Sequence, residues 1–169
     1  PAQATHLRCL MTGPMYHSAP NAYALSAARN GALVVLQPRF DAEQMLQLVQ
    51  TYGITHMHVV PTMFIRLLRL PEAVRSRYDV SSLKHVIHGA APCPDDVKAR
   101  MIEWWGPVIY EYYGSTENGL VTVVTSDMAI NKPGTVGKTI AGNVVRILDD
   151  RNQELPTGEL GEVFIWRPN

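Results

Sequence analysis

The sequence predicts an α/β fold, a mostly parallel sheet with flanking helices, followed by the start of a β-rich, barrel-like subdomain. In the first two-thirds of the chain, apolar strand-like runs alternate with helix-like segments about four times. Glycine or proline separates most of these segments. The remainder has short strand-like runs between polar turns, so we predict two subdomains, over residues 1–128 and 129–169.

The early strand–helix units are assigned from the residues at their ends. Asn21 is expected to cap a helix over residues 22–30, because its side chain can accept from a free backbone N–H group. Residues 32–36 are uniformly apolar, which is typical of a strand buried on both faces. Asp41 is expected to cap the following helix, which Gly53 ends.

The remaining elements of the first subdomain follow the same signals. Pro61 and Pro94 are suited to the first positions of two helices, because proline at a helix start sacrifices no intrahelical hydrogen bond. Gly106 is expected to end the second of them. The further predicted strands cover residues 7–12, 54–60, 84–88 and 108–112.

The last third of the chain is predicted to be antiparallel and rich in hairpins. Strand-like runs occupy residues 120–124, 143–148 and 160–166. Polar or glycine-containing turns separate them, at residues 132–134, 149–152 and 157–159.

Composition excludes several classes of function. The chain has 169 residues, and its 15 Lys and Arg balance 15 Asp and Glu, so no basic field favours nucleic acid. No apolar run approaches the roughly 18 residues of a membrane helix. Cys9 and Cys93 lie far apart, which favours free thiols in a reducing, cytoplasmic compartment.

Two local patterns resemble known motifs but fail on inspection. Residues 134–139 resemble a phosphate-binding P-loop, but Lys132 stands where the pattern needs its first glycine. His56 and His58 share one face of a strand, yet no third ligand has a zinc-like spacing. A glycine turn and packed histidines are the better interpretations.

Two loops carry the chemistry that survives. Residues 89–92 and 113–117 each follow a strand, and adjacent parallel strands would bring them to one edge of the sheet. The small residues after the first strand leave room for a flat ring, on which Tyr113 could stack. Thr116 can donate to a phosphate oxygen, and Glu117 is a hard oxygen ligand for Mg²⁺. The plain alternative is a strand-to-helix turn.

These motifs resemble the adenylate-forming superfamily, which includes acyl-CoA synthetases, firefly-type luciferases and peptide-synthetase adenylation domains. Five segments of the chain match the family's motifs in order: residues 16–17, 88–92, 111–117, 132–137 and 158–162. The resemblance implies that Tyr113 packs on adenine, that Thr116 contacts the α-phosphate, that Glu117 holds Mg²⁺ and that His17 lies near the acyl carboxylate.

The resemblance also implies which residues form the site. Those expected to act in catalysis are His17, Thr116 and Glu117. Those expected to bind the nucleotide are Gly89, Ala90, Ala91, Pro92, Glu111, Tyr112, Tyr113, Gly114, Ser115 and Thr116.

The activity that the resemblance implies is that of an acyl-CoA synthetase. It would use ATP, Mg²⁺ and coenzyme A to activate a carboxylic acid without an α-amine, because His17 stands where amino-acid-activating members have the Asp that pairs with the substrate's ammonium. A fatty acid is the expected substrate. The chain alone is expected to be an inactive internal piece of the large N-terminal domain, since the phosphate loop and catalytic Lys would lie outside it. Open alternatives are an acyl-AMP ligase that loads a carrier protein and a non-catalytic nucleotide-binding module.

Overall fold

A computed structural model describes residues 7–167, so the outermost ends of both predicted subdomains lie outside the described part. The strands are β1 Arg8–Met11, β2 Leu33–Leu36, β3 His56–Val59, β4 His85–His88, β5 Ile109–Ser115, β6 Gly119–Val124, β7 Lys138–Thr139, β8 Val144–Leu148 and β9 Glu162–Trp166. The helices are α1 Ser18–Arg29, α2 Ala42–Tyr52, α3 Pro61–Leu68, α4 Glu72–Arg75, α5 Asp95–Trp105 and α6 Ser126–Asn131.

Within the described residues, seven strands form one sheet in the order β2-β1-β3-β4-β5-β6-β7. The pairings from β2 through β5 are parallel, whereas β5–β6 and β6–β7 are antiparallel. β8 and β9 form a separate antiparallel hairpin. The predicted fold class is therefore confirmed. β7 belongs to the large sheet although it follows residue 128, and the division into subdomains stays a prediction.

Helices cover both faces of the parallel part of the sheet. On one face α1 buries Ala24 and Ala27 against Cys9 and Met11 of β1. The larger core lies on the other face, under α2, α3 and α5. Its fully buried side chains include Leu10, Met45, Leu46, Met57, Phe64, Leu67, Met101 and Ile109.

Most predicted helix ends are confirmed by their local geometry. The Asp41 carboxylate accepts from the backbone N–H of Gln44 at 2.9 Å, as a capping residue does. Gly53 ends α2 in the left-handed conformation, with φ of 56°. Pro61 is the first residue of α3. Pro94 is the residue that precedes α5, one position earlier than predicted.

The predicted start of α1 is wrong. The helix begins at Ser18, and Pro20 lies in its first turn, where a missing N–H group sacrifices no helical hydrogen bond. Asn21 therefore lies inside the helix. Its side-chain amide donates to the Met15 carbonyl at 3.0 Å and holds the preceding loop.

The prediction that residues 32–36 are buried on both faces is also wrong. β2 is an edge strand of the described sheet, and Leu33 and Leu36 are 41% and 53% exposed. The helices α4 and α6 were not predicted, because each is too short for its periodicity to stand out. No helix within residues 7–167 combines the length and apolar character needed to cross a membrane.

Candidate functional site

Two cavities open where the parallel strands end. The α5 cavity, of about 460 Å³, is bounded by the loop after β4, the start of α5, part of β5 and residues 134–136. The α1 cavity, of about 590 Å³, is bounded by the start of α1, by β3, and by β5 with its following turn. Both are lined by Ala90, Tyr112 and Gly114, so these residues separate two adjoining cavities.

The cavities gather most of the predicted site residues. The α5 cavity is lined by Ala90, Ala91, Pro92, Glu111, Tyr112, Tyr113 and Gly114. The α1 cavity is lined by His17, Ala90, Tyr112, Gly114, Ser115, Thr116 and Glu117. Gly89 lines neither cavity. A Cβ atom on Gly89 would lie 2.4 Å from Cε1 of Tyr112, so the Tyr112 ring fills the space that the sequence suggested for a ligand ring.

Ala90 stands in a backbone conformation that non-glycine residues rarely adopt. Its φ is 68°, in the left-handed region. Such conformations cluster at binding and catalytic sites, because the surrounding structure has to hold them in place. Ala90 lines both cavities and also a smaller one of about 110 Å³. The strain therefore lies at the point where the cavities meet.

The alternative of a strand-to-helix turn at Thr116 and Glu117 is wrong, because β5 continues to Ser115 and returns as the antiparallel β6. Glu117 lies exposed in the turn between them. Hydrogen bonds from its own backbone N–H and from the Ser115 hydroxyl lower the pKa of Glu117. The turn thus presents an ionised carboxylate to solvent beside the α1 cavity.

The start of α1 faces this turn. The Ser18 hydroxyl lies 3.1 Å from that of Thr116. His17 precedes the first helical residue and lines the α1 cavity. The first N–H groups of a helix have no partner within it, and its dipole favours negative charge there. This end of the cavity is suited to a carboxylate or a phosphate.

His58 and Tyr112 form a polar pair that the sequence did not assign. His58 Nε2 and the Tyr112 hydroxyl are 3.2 Å apart, and both residues line the α1 cavity. Burial, with a smaller contribution from His17, lowers the pKa of His58 to about 4. Burial also raises the pKa of Tyr112. Within residues 7–167, no three His, Cys, Asp or Glu side chains are grouped so that they could hold a metal ion.

Lys98 is a second residue that sequence reasoning missed. It is 5% exposed, lines the α5 cavity, and its Nζ lies 2.5 Å from Oε2 of Glu111 and 3.6 Å from Oδ1 of Asp95. Lys98 precedes the buried Met101 and Ile102 by three and four residues, so it shares their helical face. That spacing is the signal that could have identified it.

His88 lies behind this ion pair. It is fully buried, pairs with Glu111 across β4 and β5, and contacts the Phe64 ring edge-on at 5.1 Å. Both ring nitrogens lack a hydrogen-bond partner among the described residues. Burial, followed by the nearby Lys98 and His58, lowers the pKa of His88 to about 3. The ring is therefore neutral at physiological pH.

The chain is similar to known proteins over nearly its whole length. A family model described as AMP-binding enzyme matches residues 2–169. A 4-coumarate–CoA ligase from Pinus taeda is 30% identical over 162 residues, which cover 92% of this chain and 30% of that protein. The human mitochondrial acyl-coenzyme A synthetase ACSM5 is 34% identical over 142 residues, covering 83% of this chain and 24% of that protein.

Solved structures show the same fold. The amide bond synthetase McbA from Marinactinospora thermotolerans matches with a TM-score of 0.89 and 27% identity, over 97% of this chain and 34% of that one. The chain thus spans about a quarter to a third of the length of the relatives named here.

Proposed function

The chain belongs to the AMP-binding enzyme family, and we propose that it carries the nucleotide-facing and acid-facing walls of an ATP-dependent, AMP-forming acid–CoA ligase. The observation that supports this most directly is the pair of adjoining cavities separated by Ala90, Tyr112 and Gly114. A ligase that joins an acid to a nucleotide needs two such compartments in contact. The adjoining cavities agree with the resemblance to adenylate-forming enzymes that the sequence indicates.

The nucleotide is assigned to the α5 cavity. Tyr113 is 43% exposed and lines this cavity together with Ala91 and Pro92, so its ring is available to stack on a base. Glu111, its partner Lys98 and Asp95 supply the charged part of the wall. These contacts suit a flat heterocycle with polar edges.

The acid is assigned to the α1 cavity, with its carboxylate toward Ser18 and Thr116. The start of α1 favours an anion there, and His17 supplies no fixed negative charge that would select an α-amine. We therefore propose that the substrate is a carboxylic acid without an α-amino group, and that it belongs broadly to the fatty acids. The free thiols of Cys9 and Cys93 fit the cytoplasm as the site of action.

The proposed reaction has two steps. A carboxylate oxygen of the acid attacks the α-phosphorus of ATP, the bond to pyrophosphate breaks, and an acyl-adenylate forms. The sulfur of coenzyme A then attacks the acyl carbon, its proton leaves, and AMP departs. Thr116 would donate a hydrogen bond to an α-phosphate oxygen as negative charge develops on it.

Glu117 is the residue of this chain that would hold Mg²⁺. Its carboxylate is exposed and its pKa is lowered, which suits a hard cation that prefers oxygen ligands. Bound Mg²⁺ offsets the negative charge of the phosphate oxygens.

The test uses the protein expressed from its complete gene. Glu117→Gln is expected to slow ATP–pyrophosphate exchange about 100-fold or more, because it removes a group that acts on transition-state charge. Asp150→Asn, which changes an exposed carboxylate in another turn outside the five matched segments, is the matched control. Equal exchange rates in the two variants would overturn the assignment, and exchange by the 169-residue chain alone would overturn its predicted inactivity.

The acceptor is tested separately. Coenzyme A is the proposed acceptor, and a carrier-protein thiol is the alternative. An amine is a further alternative, favoured by the similarity to an amide bond synthetase. Measuring product with each acceptor after adenylation distinguishes the three. A protein that binds ATP without exchanging pyrophosphate would instead be a non-catalytic nucleotide-binding module.

A further inference from the structure

The wall of the α1 cavity contains more hydrogen-bonding capacity than its own contacts use. A neutral histidine has one N–H donor, and tyrosine has one O–H donor. The bond between His58 Nε2 and the Tyr112 hydroxyl consumes one of these two hydrogens. If the tyrosine donates, the N–H remains free at Nδ1 of His58; if the histidine donates, the O–H of Tyr112 remains free. One donor is left over in either tautomer.

The pair does keep both hydrogens near neutral pH. Burial lowers the pKa of His58 to about 4, so the ring is neutral. Burial raises the pKa of Tyr112, so its hydroxyl stays protonated. Tyr23 does not compete for the free donor, because its own hydroxyl lies 3.4 Å from Nδ1 of His85.

The rest of the wall around the pair is largely apolar. Ala22, Ile87 and Leu120 line the α1 cavity, together with the ring of Tyr23. His58 is 4% exposed, so only a small part of its ring is open to the cavity. A donor in such a wall is costly to leave unpaired, and a ligand that supplies an oxygen there satisfies it.

Along β5, the backbone of Tyr112 is set back from the carboxylate end of the cavity. Ser18 and Thr116 mark that end, with their hydroxyls 3.1 Å apart. Tyr23 follows Ser18 by five residues of helix, which is about 7.5 Å. Tyr112 precedes Ser115 by three residues of strand, which is about 10 Å. The His58–Tyr112 pair is therefore placed to contact the distal part of an acid.

We propose that the α1 cavity selects a carboxylic acid that has a hydroxyl or keto oxygen at its distal end, bound by the His58–Tyr112 pair. This inference rests on the proposed function, because that function assigns the acid to this cavity. The cavity would then favour oxygen-bearing acids over plain alkyl or phenyl acids of the same size.

The test compares acids that differ by one oxygen. Octanoate is paired with ω-hydroxyoctanoate, and phenylpropanoate with its para-hydroxyl derivative, using the protein from its complete gene. The hydroxyl acid of at least one pair is expected to have a kcat/KM higher by about tenfold or more, since the plain acid leaves the buried donor unpaired. The double variant with His58→Leu and Tyr112→Phe is expected to reduce this ratio to about one.

A matched control lies on the same two strands. His56→Leu with Tyr110→Phe makes the same pair of changes two residues earlier, on the same sheet face, and these side chains stack on His85 instead of lining either cavity. This control is expected to retain the preference. Because Tyr112→Phe keeps the ring that packs against Gly89, that single variant gives a second measurement if the double variant unfolds.

The possible outcomes distinguish a failure of this inference from a failure of the proposed function. A wild-type ratio near one for both pairs, or a ratio that survives in the double variant, overturns the proposal. If no acid supports pyrophosphate exchange, the proposed function fails. In that case, calorimetry still gives the Kd values of the same acids for the wild type and the double variant. These values decide whether His58 and Tyr112 bind the oxygen of the acid.

Discussion

Lys98→Met is expected to destabilise the protein far more than the loss of an ordinary lysine. Lys98 is 5% exposed, and its Nζ lies 2.5 Å from a Glu111 carboxylate whose side chain is 16% exposed. Removing one partner of a buried ion pair costs about 3 to 5 kcal/mol, because the other charge remains buried and unpaired. Since Glu111 keeps some exposure, we expect about 3 kcal/mol. For a chain of this size that corresponds to a Tm about 6 to 12 °C lower.

Urea and thermal unfolding measure this effect, and Arg146→Met is the control. The Arg146 guanidinium lies 3.5 Å from Glu154, with both side chains about 60% exposed, so its removal should change stability by about 0 to 1 kcal/mol. Adding Glu111→Gln to Lys98→Met should restore most of the loss. A loss as small as that of Arg146→Met would refute the reasoning.

Two further predictions concern single residues. His88→Leu should raise the free energy of unfolding by about 1 kcal/mol near pH 7, since both buried ring nitrogens lack a described partner. Because the native pKa of His88, about 3, lies below the unfolded value of about 6.5, wild-type stability falls as the pH drops from 6.5 to 3. A variant whose free energy of unfolding changes with pH as steeply as that of the wild type would contradict this. Gly114→Ala should lower the Tm and raise the KM for ATP, because its Cβ would lie 1.9 Å from the Gly119 carbonyl oxygen; a variant with wild-type Tm would contradict it.

Elements bounded by local signals were predictable from the sequence. Asp41 and Gly53 mark the ends of α2 because the capping carboxylate and the left-handed glycine act within a few residues of chain. The same is true of Pro61 and Gly106. The approach of residues 90–92 to residues 113–117 was also predictable, since adjacent parallel strands bring their carboxyl ends to one edge.

Features that depend on distant residues were not predictable. An apolar run such as Leu33–Leu36 does not reveal whether a strand lies on either side of it, and here β2 is the edge of the described sheet. The partners of Lys98 and His58 are 13 and 54 residues away. No local pattern encodes such pairings, although the spacing of Lys98 on its helix does indicate burial.

The different roles assigned to Glu111, Tyr112 and Tyr113 follow from the geometry of one strand. Side chains alternate between the faces of a sheet, so Glu111 reaches Lys98 of α5 while the Tyr112 hydroxyl reaches His58 in the wall of the α1 cavity. This alternation lets β5 supply a wall to each cavity. The register of β5 against β6 shifts between Tyr113 and Gly114, where the cavities adjoin. A change of register before that point would exchange the two walls, so we expect insertions in β5 to abolish binding of both reactants together.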